Sequence, residues 1–388
     1  MKNKKFETQA IRAQLERSGN NEHSVPVYLT SSFVFDTAEE MRAAFNDESD
    51  AFIYSRYTNP NNNEFVNKVC LMEGAEAGVA LSSGMAAIYT TFMSLLKSGD
   101  HIVSCSSVFG ATHAILTKYF PKLNISYSYF NIKNPNDIEK LIKPETRFIY
   151  LETPTNPAIE LIDLEFVAAI AKKHKVLLIV DNCFATPYLQ QPIKYGADLV
   201  IHSATKYMDG QGRVLGGIVV GKKELINEIY LFGRLTGPSL SPFNAWVLSK
   251  SLETLALRMD RHCENALYVA EALEKNGAFE NVSYPFLKSH PHYAIAKKQM
   301  KAGGGIITVT VKGGYDAAKK FMDKLELIKI SPNLGDARTI ATHPASSTHC
   351  KLSEEERMAV GISQGLIRIS IGLESREDIL NDILQALK

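Results

Sequence analysis

The chain has 388 residues, 45% hydrophobic and 22% charged, an ordinary globular composition with ample core for one large domain plus a smaller one. Its 43 Lys+Arg and 42 Asp+Glu leave a formal charge of +1, and no basic block or aromatic-basic stripe stands out, which argues against nucleic-acid binding. No stretch approaches the roughly 20 apolar residues of a membrane span. Five cysteines without a CxxC pair point to reduced, mostly buried thiols in a cytoplasmic protein.

In chain order, the N-terminal stretch MKNKKFETQAIRAQLERSG carries no apolar run after its lysines, so no signal peptide is expected. Residues 1–50, with Pro26 and few periodic runs, suggest an arm that packs on something else. Residues 78–82, 101–104, 147–152, 176–181, 198–202 and 216–221 read as short buried strands. Helical periodicity between them, as at 85–96 and 164–173, implies crossover connections. The fold class is therefore α/β: a mostly parallel central sheet covered by helices on both faces, with ligands bound beyond the carboxyl ends of the strands. Near Pro242 the texture changes. A long helical pattern over 245–276, with room for one break, precedes strands at 306–311 and 366–371 and a last helix. Ser375-Arg-Glu-Asp378 resembles a capping box opening that helix, whose buried stripe is Ile379, Leu380, Ile383, Leu384 and Leu387. Residues 51–244 form the large domain and 245–388 a smaller α+β domain.

Polar groups gather at the predicted strand ends. Ser82-Ser-Gly-Met-Ala-Ala87 opens a helix whose free N–H groups suit a phosphate, although small-residue turns before helices are common. Glu152-Thr-Pro-Thr-Asn-Pro157 carries two prolines that fix the backbone and aim Asn156 inward, or simply build a rigid loop. Asp181 ends an apolar run where a carboxylate is costly without a cationic partner. A metal would be one such partner, but no histidine or second carboxylate lies nearby in sequence, and no metal is expected. Lys206 follows the strand at 198–202, with Ser203 and Thr205 beside it. A lysine, an aspartate, hydroxyls and a helix N-terminus at one sheet edge suit pyridoxal 5'-phosphate (PLP). The lysine would form the imine, the carboxylate would keep the ring nitrogen protonated, and the rest would hold the phosphate.

With those stretches in place, the chain resembles the cysteine/methionine-metabolism family of fold type I PLP-dependent enzymes over nearly its whole length. The resemblance is carried by Tyr54-Ser-Arg-Tyr-Thr-Asn-Pro60, Ser82-Ser-Gly-Met85, Thr153-Pro-Thr-Asn-Pro157, Val180-Asp-Asn182, Ser203-Ala-Thr-Lys-Tyr207, His343-Pro-Ala-Ser346 and Leu366-Ile-Arg-Ile-Ser370. The stretches Tyr207-Met-Asp-Gly-Gln-Gly-Arg213 and Thr236-Gly-Pro-Ser-Leu-Ser-Pro-Phe-Asn-Ala-Trp246 look most like its O-succinylhomoserine sulfhydrylase branch. The resemblance implies that residues 51–244 bind PLP and that Lys206 is the cofactor-bound lysine and proton shuttle. Asp181 would pair with the ring nitrogen and Asn156 with the ring hydroxyl. Gly84, Met85, Ser203 and Thr205 would hold the phosphate. Tyr54 and Arg56 would reach the phosphate of a neighbouring subunit, with the arm at 1–50 contacting that subunit. Arg368 would grip the substrate α-carboxylate, with Asn333 nearby.

Two departures stand out. Many relatives stack a tyrosine on the ring where this chain has Phe109, which can stack but cannot move a proton. Asn333 stands where many relatives place serine. Cys183, beside Asn182, is read as a packed small residue rather than a redox group. The implied reaction is γ-replacement on an O-acylhomoserine by sulfide, giving homocysteine, in a homo-oligomer that the family suggests is a tetramer. Cystathionine γ-synthase and methionine γ-lyase are the rivals within the class. A non-catalytic cofactor-binding scaffold would not need Arg368, and dinucleotide binding at 82–87 lacks the GxGxxG spacing.

Overall fold

The computed structural model describes residues 1–388. Its large sheet contains β1 (Ala77–Leu81), β2 (His101–Cys105), β3 (Ser126–Phe130), β4 (Thr146–Glu152), β5 (Leu177–Asp181), β6 (Leu199–Ser203) and β7 (Gly217–Gly221). The order is β1-β7-β6-β5-β4-β2-β3. Neighbours from β6 through β5, β4 and β2 to β3 are parallel, while β7 is antiparallel to both β1 and β6. The central strands are fully buried: Phe148–Leu151 and Leu178–Val180 are continuous apolar runs because both faces are covered. The expected mostly parallel sheet is thus present, each predicted strand lying within a residue or two of an observed one. The unpredicted β3, SYSYF, is an edge strand whose first four residues are exposed or half-buried.

The carboxyl ends of β2, β4, β5 and β6 open on one edge, where the helix Gly84–Leu95 also begins. Ser83 caps that helix by accepting the Ala86 N–H at 3.1 Å. Its first turn lies against the end of β6 so closely that a Cβ on Gly84 would sit 2.6 Å from Ser203 Cβ, which is why glycine stands there.

The predicted long helix is two, Pro242–Leu252 and Leu255–Glu274, with Pro242 at the first helical position. The second sheet adds β8 (Phe279–Ser283), β9 (Ile306–Val311), β10 (Lys329–Ile330), β11 (Ile340–Thr342) and β12 (Leu366–Ser370), in the order β10-β11-β12-β9-β8. Arg368 lies in the middle of β12, opposite Thr342 on β11 and Thr308 on β9. The last helix, Arg376–Gln385, is capped by Ser375, which accepts the Asp378 N–H at 3.5 Å. The two-way capping box expected there forms instead between Ser353 and Glu356.

The N-terminal region carries two short helices, Phe6–Arg12 and Ala38–Phe45, and touches its own chain. Phe6 packs 5.1 Å from the Tyr188 ring, and Trp246 Nε1 donates to the Val25 carbonyl at 2.8 Å. All five cysteines are free, but only Cys105 and Cys263 are buried; Cys70 and Cys183 are half-buried and Cys350 is exposed. The expectation of mostly buried thiols is corrected accordingly. Among the described residues no helix is long and apolar enough to cross a membrane.

Candidate active site

A cavity of about 510 Å³ lies at the carboxyl edge of the large sheet, closed on one side by the second domain. It gathers Gly84, Met85, Phe109, Asn156, Asp181, Ser203, Thr205, Lys206, Asn333 and Arg368, ten of the twelve candidate residues, from seven separate stretches of chain.

Lys206 sits in the turn after β6. Its Nζ donates to Asn333 Oδ1 at 2.6 Å. Burial disfavours its charged form and lowers its pKa, with Arg368 adding to the effect. Asp181, at the end of β5, accepts the Cys183 N–H at 2.9 Å. Burial raises its carboxyl, while that N–H and His202 act against the rise. His202 itself faces away, bonded through Nε2 to Glu73 Oε1 at 2.6 Å. Thr205 Oγ1 forms a reciprocal pair with Gly216, donating to its carbonyl at 3.2 Å and accepting its N–H at 3.1 Å.

Arg368 is 2% exposed and forms no ion pair with an acidic side chain among the described residues. Its Nη1 donates to Asn156 Oδ1 at 3.0 Å. Its Nη2 donates to the carbonyls of Asn333 at 2.9 Å and Pro332 at 3.1 Å, and Nε has no partner. Burial pulls its pKa down to about 10. A buried guanidinium without a counter-ion, bordering a cavity, is built to receive an anion.

Tyr54 and Arg56 lie outside the cavity. The Arg56 guanidinium stacks 4.8 Å from the Tyr57 ring and bonds the Arg234 carbonyl, while Tyr54 is 39% exposed. One chain does not bring these two residues to the other ten.

The structure adds Glu152, which the sequence places at the end of a strand and the start of a proline motif but not among the site residues. The β4–β5 register sets Glu152 directly opposite Asp181, and both line the cavity. Glu152 Oε1 accepts the Phe109 N–H at 2.6 Å. The available signal was two apolar runs, FIYLE and LLIVD, each ending in an acid. The Ser346 hydroxyl of the His343–Ser346 motif is used inward, bonded to His343 Nδ1 at 2.8 Å; from the following residues Thr348 reaches the cavity.

These groups fit pyridoxal phosphate. The missing Cβ of Gly84 lets the first turn of a helix lie directly against Ser203, Asp181 offers one carboxylate, and Lys206 one desolvated amine. The fold and the site define a PLP-dependent enzyme of the mixed α/β type. The chain belongs to the Cys/Met metabolism PLP-dependent enzyme family, which it matches over residues 7–388. It is 45% identical over 382 residues to an O-succinylhomoserine sulfhydrylase of Pseudomonas aeruginosa, covering 98% of this chain and 95% of that one. It is 44% identical over 385 residues to an L-methionine gamma-lyase of Porphyromonas gingivalis, covering 98% and 96%. A Campylobacter jejuni crystal structure, assigned as an O-acetylhomoserine (thiol)-lyase and holding N'-pyridoxyl-lysine-5'-monophosphate, superposes with a TM-score of 0.95. That protein is 33% identical, with 99% of this chain and 100% of that chain covered.

Proposed function

We propose that the protein catalyses γ-replacement on O-succinylhomoserine with sulfide, releasing succinate and giving homocysteine. The observation that carries the proposal is the pairing of a desolvated amine, Lys206, with a buried, uncompensated guanidinium, Arg368, across one cavity. Arg368 would bind the substrate α-carboxylate bidentately, which its planar fork suits and a lysine would not. That contact would hold the amino acid in the cavity that Lys206 also lines.

Bound in the cavity, PLP supplies an electron-poor ring that accepts the charge left when a proton leaves the substrate α-carbon. Asp181 would hold the ring nitrogen protonated, and Asn156 would bond the ring hydroxyl. Gly84, Met85, Ser203 and Thr205 would hold the phosphate, and Phe109 would cover one face of the ring. Lys206 would take the Cα proton, give it up to the cofactor-bound substrate, and as a neutral amine again take a Cβ proton; once the acyloxy group has left Cγ as succinate and sulfide has added there, the same transfers would run in reverse to restore the Cβ and Cα hydrogens. Burial lowers the pKa of Lys206 and so favours the neutral, basic form of the amine that this work requires.

Tyr54 and Arg56 would complete the phosphate site of a second copy, in a tetramer built from dimers that share their sites. A cytoplasmic location is supported by the five free thiols. Succinate and sulfide are favoured by the sulfhydrylase relative, whereas the near-equal identity to a γ-lyase supports elimination as the second reading.

Steady-state rates with O-succinyl- and O-acetylhomoserine, each with sulfide, cysteine or no thiol, test the assignment. Sulfide with the succinyl ester should give the highest kcat/KM. Faster turnover with cysteine, or without any thiol, would overturn it.

A further inference from the structure

Glu152 is the cavity acid that the proposed reaction leaves without a task. It is buried, and among the described residues it forms no ion pair. It stands opposite Asp181 across the parallel β4–β5 pair, where side chains in register share one face of the sheet. Its one hydrogen bond runs sideways, from the Phe109 N–H to Oε1 at 2.6 Å. Phe109 directly precedes the short helix Gly110–Ala114, its ring lines the cavity, and it is 36% exposed. The rest of the segment is held by the buried Val108 and Thr112 and by the Tyr129–His113 hydrogen bond at 3.0 Å, while Glu152 supplies the side-chain hydrogen bond to Phe109 itself.

We propose that Glu152 is a positioning residue whose carboxyl clamps the backbone of Phe109 and so fixes the aromatic ring over the cofactor face. The inference rests on the cofactor site alone, whichever acyl ester or sulfur donor is used. Two strand-end carboxyls then divide the work, Asp181 for the ring nitrogen and Glu152 for the wall. The division is favourable only if the pair carries a single charge, because two adjacent buried anions repel each other strongly. Burial and the neighbouring Asp181 push Glu152 well above the usual carboxylate range, which favours the neutral acid, and Oε1 is the oxygen that accepts from Phe109. An amide of the same shape offers the same carbonyl. Glutamine should therefore replace this glutamate, whereas a side chain of similar length without an acceptor should not.

The test is the affinity of the cofactor-stripped protein for pyridoxal phosphate, together with the visible circular dichroism of the bound cofactor, which reports how its ring is held. Glu152→Met should raise the dissociation constant about tenfold, as expected for one lost buried hydrogen bond, and weaken the dichroic band. Glu152→Gln should bind within about twofold of the parent and keep the band, since the hydrogen bond is retained. Phe109→Ala should reproduce the loss, and adding Glu152→Met to it should cost little more, because the two residues act as one unit. If Glu152→Met does not fold, Glu152→Ala takes its place in both arms. The proposal is overturned if the glutamine variant loses as much as the methionine variant. It is equally overturned if the methionine variant binds and orients the cofactor like the parent, or if the Glu152 and Phe109 losses simply add.

Discussion

Asn333 joins the two basic side chains of the site: its Oδ1 accepts from Lys206 Nζ at 2.6 Å and its carbonyl from Arg368 Nη2 at 2.9 Å. One residue thereby sets the position of the amine relative to the proposed carboxylate-binding fork. Removing the amine should remove the chemistry. Lys206→Ala should lose turnover and the visible absorption of the bound cofactor, and Lys206→Arg should fare no better, because a guanidinium does not deprotonate. Full activity in either variant, measured beside its absorption spectrum, would end the assignment of Lys206.

Arg368 tests substrate binding separately from chemistry. Alanine would relieve a desolvated charge, and the Asn156, Pro332 and Asn333 oxygens that lose their donor line the cavity, where water can reach them, so the fold should tolerate the change. The cost should fall on substrate. Arg368→Ala should raise KM by roughly 100-fold, and Arg368→Lys by about tenfold, since charge-assisted pairs contribute about 1.5–3 kcal/mol and lysine loses the fork. A KM that does not move would make Arg368 a structural residue.

Arg258 supports the turn that carries Lys206. Buried, it donates from Nη1 to the Tyr207 carbonyl at 2.6 Å and from Nη2 to the Ser251 carbonyl at 2.9 Å and the Met208 carbonyl at 3.4 Å. Arg258→Ala leaves these carbonyls without their donor, and should destabilise the protein by about 2–4 kcal/mol in urea unfolding. The same variant should bind cofactor more weakly. Wild-type stability would show that the turn holds itself.

Acid sensitivity follows from buried histidines. His262 is fully buried, Nδ1 donating to the Ile371 carbonyl at 2.7 Å, and burial pushes its pKa from 6.5 down to about 4. In the unfolded chain it takes up a proton from about pH 6.5 downward, but in the folded protein only near pH 4. The unfolded state therefore binds more protons in that window, and stability falls as pH falls through it. At about 1.4 kcal/mol per pH unit of separation, His262 alone accounts for about 3 kcal/mol. His290 and His349, also lowered to about 4 by burial, act in the same direction. Urea unfolding between pH 7 and 4 should show this loss, with a shallower slope for His262→Asn; an unchanged slope would exclude His262 as a source.

What the sequence showed and what it hid divide along physical lines. Strands buried on both faces, such as Leu177–Asp181, read as unbroken apolar runs, and the acid closing such a run marked the site. The edge strand Ser126–Phe130 and the two-residue β10 carry no such run and went unread. The part of Glu152 depends on its register with Asp181 and on a hydrogen bond to Phe109, 43 residues away. The Arg368–Asn156 bond spans 212 positions. Local pattern holds no information about such pairings. Ser375 and Ser353 present similar four-residue signals, but only Ser353 has, three residues on, a glutamate long enough to reach back.

Tyr54 and Arg56 lead to the last prediction, on assembly. Both are at the surface of the single chain, and the Arg56 guanidinium lies against the Tyr54 and Tyr57 rings and bonds the Arg234 carbonyl. If they complete the site of a second copy, Arg56→Ala should retain cofactor poorly, although its own Lys206 is intact. Lys206→Ala, in turn, should be inactive although its own Arg56 is intact. Unfolding and refolding the two variants together would then create mixed dimers in which one site draws Lys206 from one chain and Arg56 from the other, both native. That site should recover activity, while its twin carries both defects. Activity rising well above the sum of the separately refolded variants supports sharing. A mixture no more active than that sum would place Arg56 in its own chain's site or in none.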